Sequence, residues 1–177
     1  MNNNTFVHKY IKPLIGKDDV TVDMTAGNGN DTLFLVKLSK KTYAFDIAEE
    51  AIRNTEERLR GFDNAIIIKD SHVNADRYVK EGVRLFIFNL GYLPNSDIVS
   101  VTKADDTLQA FRKAYDLLEE NGYIVITFYL KQPGGFDEYY LLTDYINKNR
   151  LQIIETYRQD KLLSPITFII RKISQVR

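Results

Sequence analysis

An α/β fold built on a mostly parallel seven-stranded sheet is what this 177-residue sequence predicts, and three observations predict it. Short β-branched runs alternate with longer polar–apolar segments of helical period. The runs Ile66-Ile67-Ile68-Lys69 and Leu85-Phe86-Ile87-Phe88 are apolar on both faces, as expected of central strands covered by helices on either side. The last two strand segments are separated only by Lys161–Ser164, which is too short for the crossover of a parallel pair. They must close the chain as an antiparallel hairpin.

The elements follow in order. An amphipathic stretch at Asn4–Leu14 opens the chain and is closed by Pro13 and Gly16. The first strand is expected at Val20–Met24 and its helix at Asn30–Leu38, entered through a glycine-rich turn. Thr42–Asp46 with Ala48–Arg60 forms the second strand–helix unit, and Ala65–Lys69 with Val73–Lys80 the third. Leu85–Asn89 with Asp105–Glu120 is the fourth, and Tyr123–Tyr129 with Asp137–Asn147 the fifth. Gln152–Arg158 and Ile166–Lys172 make the hairpin. Five strand–helix units and then a β-hairpin is the element order of the Rossmann-like class I methyltransferase fold, whereas a flavodoxin-type sheet would end on a helix. With no repeat and no Pro/Gly-rich linker, one domain over residues 1–177 is expected.

Composition narrows the chemistry. The absence of cysteine excludes a disulfide framework, a thiolate zinc site and a cysteine nucleophile. Two histidines, His8 and His72, are too few for a multi-histidine centre, so no metal is expected. No apolar run approaches about 18 residues and the N-terminus lacks an apolar signal core, so a cytoplasmic protein without a membrane partner is expected. The 24 basic and 24 acidic side chains balance, but unevenly along the chain. Residues 1–17 carry +3, residues 148–177 carry +5, and the middle carries −8. If the ends meet, they make a cationic surface for a polyanion; the plainer reading is solvated faces.

The strongest local signal is Asp23-Met24-Thr25-Ala26-Gly27-Asn28-Gly29-Asn30-Asp31-Thr32, between the first strand and its helix. Gly27 and Gly29 lack a Cβ and so allow a tight turn and close backbone approach to a ligand. A dinucleotide fingerprint would have Gly or Ala where Thr32 stands. Asp31 beside it would repel a pyrophosphate but suits a cationic or zwitterionic ligand, and S-adenosylmethionine, with a sulfonium and an ammonium, is one. A glycine turn capped by Asn30 or Asp31 remains the alternative for the isolated motif.

Asp46 ends the second strand, where an acid can accept two hydrogen bonds from ribose hydroxyls or cap the next helix. Asp70-Ser71-His72 ends the third, where a side-chain acceptor can meet an adenine amino group. Two roles are open to His72: general base for a substrate ammonium on the lip of the site, or hydrogen bonding to cofactor or helix. His8 is read as a surface residue. Asn89-Leu90-Gly91-Tyr92-Leu93-Pro94 follows the fourth strand, beside the expected topological switch point. It resembles the Asn-Pro-Pro-Tyr loop of methyltransferases that alkylate exocyclic amines, with Leu90 and Gly91 replacing both prolines. An amine needs acceptors to orient its lone pair, and the Asn89 side-chain oxygen and Leu90 carbonyl could receive its N–H groups while Tyr92 stacks on a base. A polar turn with a core tyrosine is the competing reading.

Taken in order, D-x-T-x-G-N-G-N-D-T, F-D-I, K-D-x-H, F-N-L-G-Y-L-P and K-x-D-x-T (Lys103, Asp105, Thr107) resemble a small bacterial family long known as an rRNA methylase. Members of it are known as the tRNA 5-aminomethyl-2-thiouridine methyltransferase of bacteria that lack the two-domain enzyme for that step. The resemblance spans nearly all of residues 4–172. It implies S-adenosylmethionine as methyl donor and the wobble uridine in a tRNA anticodon loop as substrate. Cofactor contacts are then expected from Asp23, Thr25–Thr32, Asp46, Ile47, Asp70, Ser71, His72 and Asn89, and catalytic contacts from Asn89, Gly91, Tyr92 and His72. RNA contacts are expected from Lys9, Lys12, Tyr92, Lys103, Arg158 and Lys161. Other targets remain open: rRNA or another exocyclic amine, or a non-catalytic RNA-binding scaffold. A homodimer is also open, since the sequence does not fix the oligomeric state.

Overall fold

The computed structural model describes residues 2–91, 104–159 and 161–173. Its strands are β1 (Val20–Asp23), β2 (Lys41–Asp46), β3 (Ala65–Lys69), β4 (Val83–Leu90), β5 (Leu118–Phe128), β6 (Gln152–Arg158) and β7 (Ile166–Arg171). They form one sheet in the order β3-β2-β1-β4-β5-β7-β6, parallel as far as β5. The closing pair is antiparallel, with β7 inserted between β5 and β6. This is the seven-stranded class I methyltransferase topology that the element order predicted. The order reverses beside β1, where chain growth turns from β3 back to β4, and ligands of open α/β sheets bind at the strand carboxyl ends there.

The helices are α1 (Asn3–Ile11), α2 (Asn30–Val36), α3 (Glu49–Arg58), α4 (Ala75–Tyr78), α5 (Ala104–Leu117) and α6 (Gly135–Lys148). Two-residue alternation along β4 and β5 divides the core. Phe86, Phe88, Ile124 and Ile126 face one side with Phe111 of α5 and Leu142 of α6. Leu85, Ile87 and Val125 face the other with Val7 and Ile11 of α1 and Leu35 of α2. Each fully buried side chain of this size contributes about 1.5–3 kcal/mol relative to exposure. The double-faced burial explains why the β4 run is apolar throughout.

Three boundaries differ from expectation. The first helix stops at Ile11 and gives way to a 3-10 turn at Lys12–Leu14, because Pro13 has no N–H for a helical bond. The helix expected at Val73–Lys80 shortens to α4 behind a 3-10 turn at His72–Asn74, and Val79 is already extended. The helix expected to run to Glu120 stops at Leu117: Leu118 pairs with Val83, and the ladder resumes at Leu85 with Tyr123 after an interruption in which Asn121 has φ 62°.

The two basic ends do meet. Phe6 of α1 stacks on Tyr157 of β6 with ring centroids 3.9 Å apart, and Asn3 bridges Thr127 and Thr167. Lys9, Lys12, Arg158 and Lys161 on these neighbouring segments are exposed. Among the described residues no helix is long and apolar enough to cross a membrane.

Candidate active site

The turn after β1 is sewn to both neighbouring strands. Met24 N–H donates to the Ile87 carbonyl of β4, and Ala26 N–H to the Phe45 carbonyl of β2, each at 2.9 Å. Gly27 and Gly29 sit at φ 54° and 72°, the left-handed region that glycine enters without strain. A Cβ on Gly29 would lie 3.0 Å from the Thr55 Cα of α3, so the close packing of turn on helix also requires glycine. From α3, Asn54 and Arg58 bond the side chain and carbonyl of Asn28, which turns Asn28 toward the helix. Asn30, the first residue of α2, is exposed.

Beneath the turn lie two acids. Asp23 is fully buried; it accepts from Thr25 N–H at 3.0 Å and from the Thr32 hydroxyl at 2.6 Å. Burial and the nearby charge of Asp31 push its carboxyl up to about 7 despite those two donors. Asp31, in the first turn of α2, is also buried. One of its oxygens lies 2.6 Å from His8 Nε2 and the other accepts from Asn89 Nδ2 at 3.2 Å. Thr25 completes the link, its hydroxyl accepting the backbone N–H of Asn89 at 2.8 Å. A carboxylate only accepts, so the amide nitrogen of Asn89 must face Asp31 and its oxygen must face away. That oxygen is buried and finds no hydrogen-bond partner among the described residues.

The other strand ends are already partly engaged. Asp46 accepts from Gly27 N–H through one oxygen and Ala48 N–H through the other, both at 2.9 Å. A carboxylate oxygen takes two hydrogen bonds, so each retains a lone pair. Ile47 beside it is half exposed, an apolar surface at the same strand end. Asp70 binds Ser71 N–H, Asn74 and the Tyr78 hydroxyl, and the Asn74 and Tyr78 bonds hold its carboxyl below the ordinary range. Ser71 caps the turn that follows by accepting from Val73 N–H at 3.3 Å. His72, placed on the lip by sequence reasoning, is instead buried. Its Nδ1 lies 3.2 Å from the Met24 carbonyl, which can only accept, so Nε2 is a bare acceptor without a partner among the described residues. Burial lowers its pKa and keeps the ring neutral.

Gly91 N–H donates to the Asn89 carbonyl at 2.7 Å, and a Cβ there would make only ordinary contacts with Gln132 and Tyr129. Tyr92 and Lys103 lie outside the described residues. Sequence reasoning missed two neighbours of this site and, away from it, one buried acid. His8 reaches Asp31 and stacks face to face on Phe34 with centroids 4.0 Å apart, so it is not a free surface residue. Tyr129, just past β5, neighbours the Asn89 side chain; burial and the charge of Asp31 raise its pKa. Glu138 of α6 accepts from Thr107 of α5 at 2.7 Å, and burial pushes its carboxyl up to about 7. Val7 and Ile11 flanking His8 in an apolar stripe were the one available hint that its helix packs inward.

The family model described as "Putative rRNA methylase" matches residues 42–170. A curated relative from Arabidopsis thaliana, the chloroplastic tRNA (mnm(5)s(2)U34)-methyltransferase, is 34% identical over 150 residues, 74% of this chain and 54% of the relative. The chain therefore spans about half the length of the curated relative it matches. Among solved structures, an rRNA-methylase of the same description from Clostridium thermocellum is 34% identical with TM-score 0.89, covering 98% of each chain. A structure described as a putative methyltransferase from Streptococcus mutans, in complex with SAH, is 32% identical with TM-score 0.86, covering 98% of this chain and 99% of that one. The cofactor is S-adenosylmethionine, and the residues present fit it. Two buried acids repel each other under a glycine turn, and Asp46 keeps lone pairs beside exposed Ile47. A ligand with two cationic groups, ribose hydroxyls and an apolar ring supplies what each of these lacks.

Proposed function

The chain belongs to this rRNA methylase family and is an S-adenosylmethionine-dependent methyltransferase, and from that premise we propose that it N-methylates the aminomethyl group of 5-aminomethyl-2-thiouridine at the tRNA wobble position. One observation supports the amine above all: the buried Asn89 Oδ1, unpartnered among the described residues and aimed away from Asp31 at the carboxyl end of β4. A primary amine brings the N–H that this oxygen lacks. The Arabidopsis relative, named for this tRNA modification, supports the nucleoside.

When bound, S-adenosylmethionine supplies a methyl group on a positively charged sulfur, which departs as a neutral thioether. The chain's own contribution is to orient the nucleophile. Asn89 Oδ1 accepts one amine N–H and so turns the nitrogen lone pair toward the methyl, a positioning effect that can be worth several orders of magnitude. The amine must be neutral to attack, and the proton it sheds leaves to water. Tyr92 stacks on the unpaired base, and a single-stranded anticodon loop spares any duplex opening. Lys9, Lys12, Lys103, Arg158 and Lys161 contact phosphates; four of these lie on α1, the 3-10 turn that follows it and the neighbouring β6–β7 hairpin.

The test is transfer of labelled methyl to purified RNA from cells lacking this enzyme. Label in tRNA, lost when the tRNA lacks the aminomethyl group, is the expected result. Label in rRNA with none in tRNA would replace this reading by the family's older description.

A further inference from the structure

An amide has no intrinsic preference for which end it presents to a ligand, so a site that relies on a carbonyl oxygen must fix the amide's orientation. Asn89 donates one side-chain N–H to Asp31 at 3.2 Å, and Tyr129 is a close neighbour of the same side chain. Asp31 is itself held, its second oxygen 2.6 Å from His8 Nε2. His8 in turn is pinned flat against Phe34, rings 6° from parallel, on a helix anchored by buried Val7 and Ile11. Tyr129 follows directly on β5, whose residues Thr127 and Phe128 pair with Asn89 and Leu90. The chain of contacts thus joins α1, α2, β4 and the end of β5 around one side chain. Turning the amide over would set its oxygen against a carboxylate and take from the amide N–H the acceptor it now has.

We propose that Tyr129, and His8 acting through Asp31, are positioning residues that lock the Asn89 amide with its oxygen toward the methyl acceptor, so that the site accepts only a nucleophile carrying a donor hydrogen. The proposal rests on the reading that Asn89 Oδ1 holds the substrate amine. Neither Tyr129 nor His8 need touch substrate. Their effect passes entirely through the orientation of Asn89, and an ångström of misplacement at a reacting centre can cost up to about a hundredfold. The lock also makes N-terminal α1 part of the active site and not merely a cover on the sheet.

A double-mutant cycle separates this from a structural role. Single-turnover rates are measured on tRNA bearing the aminomethyl group for Tyr129→Phe, His8→Ala and His8→Gln, each alone and with Asn89→Ala, with thermal melting to confirm folding. Tyr129→Phe and His8→Ala should each lose about tenfold in rate with unchanged KM for tRNA. His8→Gln, whose amide still donates to Asp31, should recover most of that loss. In the Asn89→Ala background neither substitution should have further effect. The side-chain amide resonances of Asn89 should shift in Tyr129→Phe without any ligand. Wild-type rates in both singles while Asn89→Ala is impaired would overturn the lock, as would losses that persist undiminished beside Asn89→Ala. A fully active Asn89→Ala would instead overturn the amine reading beneath it.

Discussion

Replacing Glu138 by Gln should stabilise this protein at alkaline pH and do so much less at acid pH. The carboxyl is buried between α5 and α6, only 5% exposed, with the Thr107 hydroxyl donating to it at 2.7 Å. Burial raises its pKa from an ordinary 4.5 to about 7. Below the lower value both folded and unfolded chains carry the proton and the residue costs nothing. Between the two, the unfolded chain ionises first, so stability falls as pH rises; above about 7 the cost is complete. At about 1.4 kcal/mol per tenfold difference in proton affinity, that cost is on the order of 3 kcal/mol. Glutamine keeps the acceptor for Thr107 and imitates the neutral acid at every pH. Urea unfolding of both proteins at pH 5 and at pH 8.5 gives the difference in stability, from which shared contributions such as that of Asp23 cancel. The variant should gain about 3 kcal/mol at pH 8.5 and only about 1 kcal/mol or less at pH 5. A difference of equal size at both values would show that the carboxyl is not held neutral by the fold.

Asp46→Ala should weaken S-adenosylhomocysteine binding by about 1.5–3 kcal/mol in calorimetry, since it removes a charged acceptor for hydroxyls. It also takes from Gly27 N–H the acceptor that shapes the turn. Reversing Lys9, Lys12, Arg158 and Lys161 to Glu should weaken tRNA binding and leave cofactor affinity alone, and wild-type tRNA affinity should fall steeply with salt. Gly29→Ala should lower the melting temperature by several degrees, because φ 72° strains an L-residue by about 1–2 kcal/mol and the added carbon meets Thr55.

Local signals carried most of the fold. The alternation of strand and helix, the short link before Ile166 and the apolar run of β4 predicted the mostly parallel sheet and closing hairpin that are observed, whereas β3, expected to be central from its own apolar run, is the edge strand with Ile66 exposed. The α5–β5 boundary was hidden because Leu117 and Leu118 continue the helical apolar pattern, and the breaker, Asn121-Gly122, comes after the strand has begun. The glycine turn was legible for the same reason: its residues are adjacent in sequence and share one backbone task. The contacts that orient Asn89 are not local. Asp31 is 58 residues from Asn89, and His8 is 23 residues from Asp31. Nothing in the spacing of a single sequence says that α1 lies across α2, so a histidine beside an apolar stripe read as surface. The Glu138–Thr107 contact, 31 residues apart, was invisible for that reason too.

The central claim is that this chain methylates an amine presented to Asn89 on a tRNA wobble uridine. Mass spectrometry of tRNA nucleosides from a strain deleted for the gene, complemented with wild type or with folded Asn89→Ala, tests it most directly. The deletion strain should accumulate 5-aminomethyl-2-thiouridine; wild type should convert it to the methylated nucleoside, and Asn89→Ala should leave most of it unconverted. An unchanged tRNA nucleoside profile on deletion, or full conversion by Asn89→Ala, would contradict the account.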